Sequence, residues 1–296
     1  MLVPVPTMQL RVPDGRSLDV FLDGPQDGTP LVLHIGTPGA GLSFAPFVET
    51  LAARGLRYVS FSRPGYGASG RREGRSIVDV VDDTAAVLDA IRAERCYVLG
   101  WSGGGPHALA CAARLAGSVV AAATIGSVAP YPAEGLDWTA GMGAENIEEF
   151  GAAMSEPREL IAFMERAAPI FGAVTPAQVA EAFGDLIDDV DRGSLSGPFA
   201  TWVTDLFHEA LRIGYWGWFD DDLAFIRPWG FELDEIHVPV FIWQGAHDRM
   251  VPIAHGEWLA AHIPGARPRL FAEHGHLTLA LDSFPRIIDE LLAVDR

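Results

Sequence analysis

Short apolar runs, continuous rather than alternating, recur along this chain with amphipathic helical segments between them. They occupy residues 31–35, 58–61, 97–99, 119–125 and 240–243. A strand whose successive residues are all apolar is buried on both faces, the condition of a parallel sheet covered by helices. The clearest helical segment covers residues 76–92. Ile77, Val80, Val81, Val87, Leu88 and Ile91 share one face, and Asp79, Asp82, Asp83 and Asp89 share the other. Ser76 is a good N-cap, with Asp79 three residues on. Strand and helix in alternation predict right-handed crossovers. Two runs that do alternate, residues 8–12 and 17–23, flank Pro13-Asp14-Gly15 and predict a hairpin at a sheet edge.

After Ser127 the rhythm stops. From Tyr131 to Glu235 no buried-strand run appears, but residues 157–167 and 176–186 have helical periodicity, and Trp138, Trp202, Trp216, Trp218 and Trp229 fall in this stretch. Strand and helix resume at Pro239. The predicted fold class is therefore α/β, a mostly parallel central sheet flanked by helices, with an inserted helical cap. Its predicted domains are a core of residues 1–130 and 237–296 and a cap, or lid, of residues 131–236. The stretch 131–235 holds 21 acidic and 5 basic residues, so it carries −16 of the chain's net −18. So strong a negative balance argues against nucleic acid and an anionic membrane as partners, since both reward Lys and Arg.

The 296 residues suffice for a substantial core. Residues 1–6 lack the basic start and apolar stretch of a leader, and no run of eighteen apolar residues offers a membrane span. A soluble, cytoplasmic protein is the expectation. Cys96 and Cys111, each in an apolar run, are expected to be buried, reduced thiols.

Gly100-Trp101-Ser102-Gly103-Gly104 fits the pattern G-x-S-x-G, and its context gives it weight. The pattern directly follows a predicted strand and directly precedes an apolar helix over residues 106–115. A sharp strand-to-helix turn at that point lifts the serine hydroxyl clear of the sheet, and glycines on either side allow the close backbone passage.

With these residues the chain resembles the α/β-hydrolase superfamily, and the resemblance covers nearly its whole length. Residues 100–107 are similar to the nucleophile elbow of the capped, esterase-like members. His34-Ile35-Gly36-Thr37-Pro38-Gly39 is similar to the family's H-G-x-P-G oxyanion loop, and residues 62–69 resemble its D-x-P-G-x-G-x-S loop. Two departures stand out: Ile35 occupies the place of the family's histidine, and Ser62 that of its aspartate. The resemblance implies Ser102 as nucleophile, with the backbone N–H groups of Thr37 and Gly103 as the oxyanion hole. A turn at Thr37-Pro38, with a cis proline, is the structural counterpart of that reading.

Serine is a poor nucleophile until a base takes its proton, and the base needs a partner to hold its tautomer. Family order is serine, acid, histidine. Residues 245–252 resemble the G-x-x-D loop that carries the acid, which implies Asp248. A surface pair of Asp248 with Arg249 is the alternative. The late loop Glu273-His274-Gly275-His276 matches the family's G-H at His276, which implies His276 as the base and leaves His274 as a decoy. His34 and His107 are read as packing residues. His247, His255 and His262 lack metal-ligand spacing, so neither a metal nor another cofactor is expected.

The implied activity is acyl transfer from a small-molecule substrate, a carboxylic ester first, through an acyl-enzyme on Ser102. A proline-iminopeptidase-like aminopeptidase, a carbon–carbon bond hydrolase and a hydrolase-fold binding protein remain open. Haloalkane dehalogenases and epoxide hydrolases place an aspartate at the elbow, which Ser102 argues against. The acidic cap favours neutral or cationic substrates over anionic ones. The aromatic run 215–219 either lines a pocket or packs the cap. Oligomeric state is left open.

Overall fold

A computed structural model describes residues 7–295; the reading of residues 1–6 lies outside the described residues. Its strands are β1 (Met8–Arg11), β2 (Ser17–Asp23), β3 (Thr29–His34), β4 (Leu56–Phe61), β5 (Cys96–Trp101), β6 (Val119–Ile125), β7 (Val240–Gly245) and β8 (Arg267–Phe271). They form one sheet in the order β1-β2-β4-β3-β5-β6-β7-β8. Strands β3 to β8 pair in parallel, while β2 runs antiparallel to both β1 and β4, so the hairpin sits at the sheet edge as predicted.

The continuous apolar runs are explained by two cores, one on each face. Leu31, Leu33, Tyr97, Leu99, Phe241 and Trp243 point to one, and Val32, Val98, Val240 and Ile242 to the other. The second is closed by helices Val80–Ala90 and Gly105–Arg114. The helix predicted over residues 76–92 begins with a 3-10 turn, Ile77–Asp79, capped by Ser76: its backbone N–H donates to the Asp79 carboxylate at 2.8 Å. Strand β8 has no apolar run to announce it. It lies at the far edge, pairs only with β7, and leaves most of its residues at least partly exposed.

Between β6 and β7 the chain departs into helices, among them Ala144–Met154, Pro157–Phe171, Gly197–Ala210 and Trp216–Phe225. The helix predicted over 157–167 continues to Phe171. The segment 176–186 breaks into Val179–Ala182 and a 3-10 turn, Gly184–Leu186, because Gly184 adopts a φ of +54°. Trp202, on helix Gly197–Ala210, stacks on Trp101 at 6.0 Å and on Phe44 at 5.0 Å. This brings the insertion down onto the C-terminal end of β5.

Cys96 and Cys111 are buried free thiols, and burial pushes each up to about 12. Such thiols are inert. No helix among the described residues is long and apolar enough to cross a membrane.

Candidate active site

Ser102 stands where β5 ends and a 3-10 turn, Ser102–Gly104, leads into helix Gly105–Arg114. Its φ is +55°, a left-handed value that costs a residue with a side chain about 1–3 kcal/mol. The elbow's glycines are needed for space. A Cβ at Gly104 would lie 1.9 Å from the His34 carbonyl oxygen, and one at Gly100 would lie 2.3 Å from the Gly104 carbonyl oxygen. The turn is thus packed from both sides against backbone.

Asp248 and His276 meet beside this elbow. His276 Nδ1 donates to Asp248 Oδ2 at 2.7 Å, with both side chains buried. Asp248 is itself fixed: Oδ1 accepts the N–H groups of Met250 and Val251, and Oδ2 accepts from Gln244 Nε2. The surface pair of Asp248 with Arg249 does not form; Arg249 reaches Asp185 instead. Gly126, φ +56°, leaves the room the pair needs, since a Cβ there would lie 2.7 Å from His276 Nδ1. Burial pushes the imidazolium down, but the charge and hydrogen bond of Asp248, with the charge of Asp191, outweigh it and raise His276 above its ordinary value. His276 and Ser102 line one recess together with Trp101 and Met250.

The sequence did not announce how His276 is held. His276 is the first residue of helix His276–Leu292, whose leading N–H groups have no partner within the helix. Asp191, from the insertion, supplies one. Its carboxylate accepts the N–H groups of His276, Leu277 and Thr278 at 2.6, 3.0 and 2.8 Å, and the Thr278 hydroxyl at 2.9 Å. A Cβ at Gly275 would run into this carboxylate at 2.4 Å.

Thr37 and Gly103, the residues read as oxyanion donors, lie side by side: a Cβ on Gly103 would sit 2.4 Å from Thr37 Oγ1. The Thr37–Pro38 peptide is cis. Ser62, in the place of the family's aspartate, accepts the Gly41 N–H at 3.2 Å. The firmer hold comes from Arg63. Its guanidinium donates to the carbonyl oxygens of Ile35 and Gly36 and to Thr37 Oγ1. Asp221, on helix Trp216–Phe225, closes the network: it pairs with Arg63 at 2.6 Å and Arg75 at 2.7 Å and accepts the hydroxyls of Tyr66 and Thr37, each at 2.7 Å. Although burial alone raises a carboxyl, the two arginines hold Asp221 far below the ordinary range.

Six other histidines are engaged elsewhere. His34 is buried against Phe61, and burial takes it down to about 3. His107 Nδ1 donates to the Gly103 carbonyl at 2.9 Å, within the elbow helix. His255 joins the Ala129 N–H to the Trp138 carbonyl, His262 stacks on Trp258, and His247 pairs with Asp188. His274, whose carbonyl accepts the His247 N–H, has Asp282 as its charged neighbour at 3.6 Å. Among the described residues no group of three or more His, Cys, Asp or Glu is arranged to hold a metal.

A second recess adjoins the first. It shares Ser102, Thr37 and Pro38 and reaches into the insertion, where Glu149, Trp218 and Asp222 line it. The aromatic run 215–219 is thus divided. Trp218 faces the cavity, while Trp216 lies at the surface with the Arg71 guanidinium 4.2 Å from its ring.

Residues 29–282 match the family described as alpha/beta hydrolase fold. This chain belongs to that family. It is 25% identical over 270 residues to a non-heme haloperoxidase of Rhodococcus erythropolis, covering 90% of this chain and 92% of the relative. In three dimensions it is similar to an esterase from Exiguobacterium antarcticum (TM-score 0.70, 22% identity, 98% and 99% of the two chains). The enol-lactonase from Burkholderia xenovorans LB400 is similar to the same degree (TM-score 0.70, 21% identity, 97% and 100%). At such identities these α/β-hydrolase structures share the fold with this chain, while the substrate is a matter for its own residues.

Proposed function

We propose that this α/β-hydrolase is a serine hydrolase that cleaves a small carboxylic ester through an acyl-enzyme on Ser102. The observation that carries this is the buried hydrogen bond from His276 Nδ1 to Asp248 Oδ2, in a recess shared with Ser102. With Nδ1 so engaged, the other ring nitrogen, Nε2, is the one that takes the Ser102 proton.

Ser102 Oγ attacks the ester carbonyl as His276 Nε2 removes its proton. The N–H groups of Thr37 and Gly103 receive the negative charge that develops on the carbonyl oxygen. Collapse of this intermediate breaks the bond to the leaving alkoxide, which departs as an alcohol with the proton from His276. Water then attacks the acyl-enzyme, again with His276 as base, and the carboxylic acid leaves with Ser102 restored. Asp248 stays ionised throughout and steadies the imidazolium. The insertion, taken as residues 131–236, acts as the cap over this site, and its acidity favours neutral or cationic substrates.

The test is hydrolysis of p-nitrophenyl acetate, butyrate and octanoate, and of proline p-nitroanilide, by wild type and Ser102→Ala. Ester turnover abolished by the substitution is the expected result. Ester turnover that survives it overturns Ser102 as nucleophile. Faster cleavage of the anilide than of any ester would replace the ester with an amide. No turnover of any of the four by wild type would replace the esterase reading with a carbon–carbon hydrolase or a binding protein.

A further inference from the structure

Three consecutive aspartates on helix Trp216–Phe225 are buried, and arginines answer only two of them. Asp220 receives Arg71 through two hydrogen bonds, at 2.8 and 2.9 Å. Asp221 has Arg63 and Arg75. Asp222 is fully buried, and neither of its oxygens has a donor. Its polar neighbour is a second carboxyl, that of Glu149 on helix Ala144–Met154. Two carboxylates are both acceptors, so the contact between them needs a shared proton.

The pair's other neighbours leave it uncommitted. Trp218 Nε1 donates to Glu149 Oε1 at 2.6 Å. Glu145 faces Glu149, and Asp221 and Arg75 face Asp222. Arg75 reaches Asp221 and the Gly217 carbonyl through one terminal nitrogen, its Nε has no partner, and it makes no hydrogen bond to Asp222. Arg63 and Arg75 against Asp221 leave one positive charge in excess, which one ionised carboxylate of the pair balances; the other keeps its proton. Burial first, then the neighbouring carboxyl, holds Asp222 well above its ordinary value, and burial lifts Glu149 to about 7. Both carboxyls line the recess that contains Ser102, Thr37 and Gly103, among walls that include Phe150, Phe171 and Phe225.

We propose that Glu149 and Asp222 form a subsite for a protonated primary or secondary amine carried by the acyl part of the substrate. An ammonium offers each carboxylate an N–H donor and displaces the proton the two share. Its place on the acyl side follows from His276. The leaving group must receive the His276 proton and so occupies the recess His276 lines, which leaves the carboxyl-lined recess, beside Thr37 and Gly103, for the acyl chain. This inference rests on the reading of Ser102 as nucleophile.

Calorimetric titration of Ser102→Ala with n-butylamine and with n-butanol, at pH 7 in two buffers of different ionisation enthalpy, tests it without turnover. The amine is expected to bind at least about tenfold more tightly than the alcohol, since a hydrogen bond to a charged group is worth about a factor of ten to a hundred. Up to about one proton should be released per amine bound, because the pair titrates as a unit. Glu149→Gln and Asp222→Asn, each added to Ser102→Ala, should remove the preference and the proton release. Equal affinity for amine and alcohol, binding without proton release, or an amine preference that survives Glu149→Gln each overturns the subsite. Should Asp222→Asn fail to fold, the Glu149→Gln titration and the amine-to-alcohol comparison decide alone. Ester turnover by wild type alongside absent amine binding would sink the subsite and leave the nucleophile standing. Amine binding in a chain that hydrolyses no ester would do the reverse.

Discussion

The Asp191 carboxylate, on the insertion, accepts the backbone N–H of His276 at 2.6 Å and so anchors the first residue of the last helix of the core. The same carboxylate raises His276 by its charge, after the larger influences of burial, which lowers it, and of Asp248. One residue thus joins the insertion to His276 in both position and protonation.

Replacing Asp191 should act on both. Asp191→Asn keeps one acceptor oxygen and removes the charge. Its kcat/KM is expected to fall about 10- to 100-fold, as the loss of charge-assisted hydrogen bonds implies. As the proposed base, His276 works as neutral imidazole, so activity should be lost as pH falls through its pKa, which in the folded protein lies above 6.5. Without the Asp191 charge that limb should move to lower pH. A pH–rate profile beside a thermal melt checks this. A lowered Tm with an unmoved acid limb would reduce Asp191 to a helix cap.

Asp248→Asn strikes the tautomer directly. An amide in place of the carboxylate accepts from Nδ1 poorly and stabilises no imidazolium, so kcat should fall about 10⁴-fold. The acid limb should again move down, because Asp248 is the chief group raising His276. Stability takes the opposite sign from activity. A histidine raised in the folded state contributes stability in full below its unfolded value of about 6.5, and the contribution is lost as pH rises through the folded value. Chemical denaturation of wild type and variant at pH 6 and pH 9 would show the difference in stability shrinking at the higher pH.

The sheet was legible because burial on both faces leaves a mark that a single sequence carries: residues 31–35, 97–99 and 240–243 have no polar side to show. Strand β8 left no such mark, since Arg267, Pro268 and Leu270 are exposed at an edge. Ser102, Thr37, Gly103, Asp248 and His276 could be picked out through short local patterns. Asp191, Arg63, Asp221, Asp222 and Glu149 could not, because their partners are distant along the chain: Asp191 meets His276 across 85 positions and Thr37 meets Asp221 across 184. The one local hint was the run Asp220-Asp221-Asp222, an acidic triplet inside an apolar, Trp-rich helix, where acidic side chains need partners. All three are buried, and nothing in the sequence names the arginines that answer two of them.

Asp221 should be the costliest of the buried charges to remove. Asp221→Asn leaves Arg63 and Arg75 buried without their counter-ion, and breaking a buried pair in this way typically costs about 3–5 kcal/mol. Asp221 is held below its ordinary range, so its contribution is present above the unfolded value of about 3.8 and is lost as pH falls towards the folded one. Urea unfolding at pH 7 measures the loss. A cost under about 1 kcal/mol, the range of an exposed pair, would show that the network is solvated in solution.

The first two of the three glycines after Ser102 offer a contrast that separates folding from chemistry. At Gly104 a Cβ would lie 1.9 Å from the His34 carbonyl oxygen, which belongs to β3 and cannot yield, so Gly104→Ala should not accumulate as folded protein. At Gly103 the Cβ would meet side chains, Thr37 Oγ1 at 2.4 Å and Phe225 Cζ at 2.8 Å, and these can shift. Gly103→Ala is therefore expected to fold and to displace Thr37. If the N–H groups of Thr37 and Gly103 stabilise the oxyanion, kcat should drop about 10²–10³-fold, the usual loss for one donor. KM should change little, since the charge they receive develops only in the transition state. Steady-state kinetics on the best p-nitrophenyl ester decides it. A folded Gly103→Ala enzyme with wild-type kcat would place the oxyanion elsewhere.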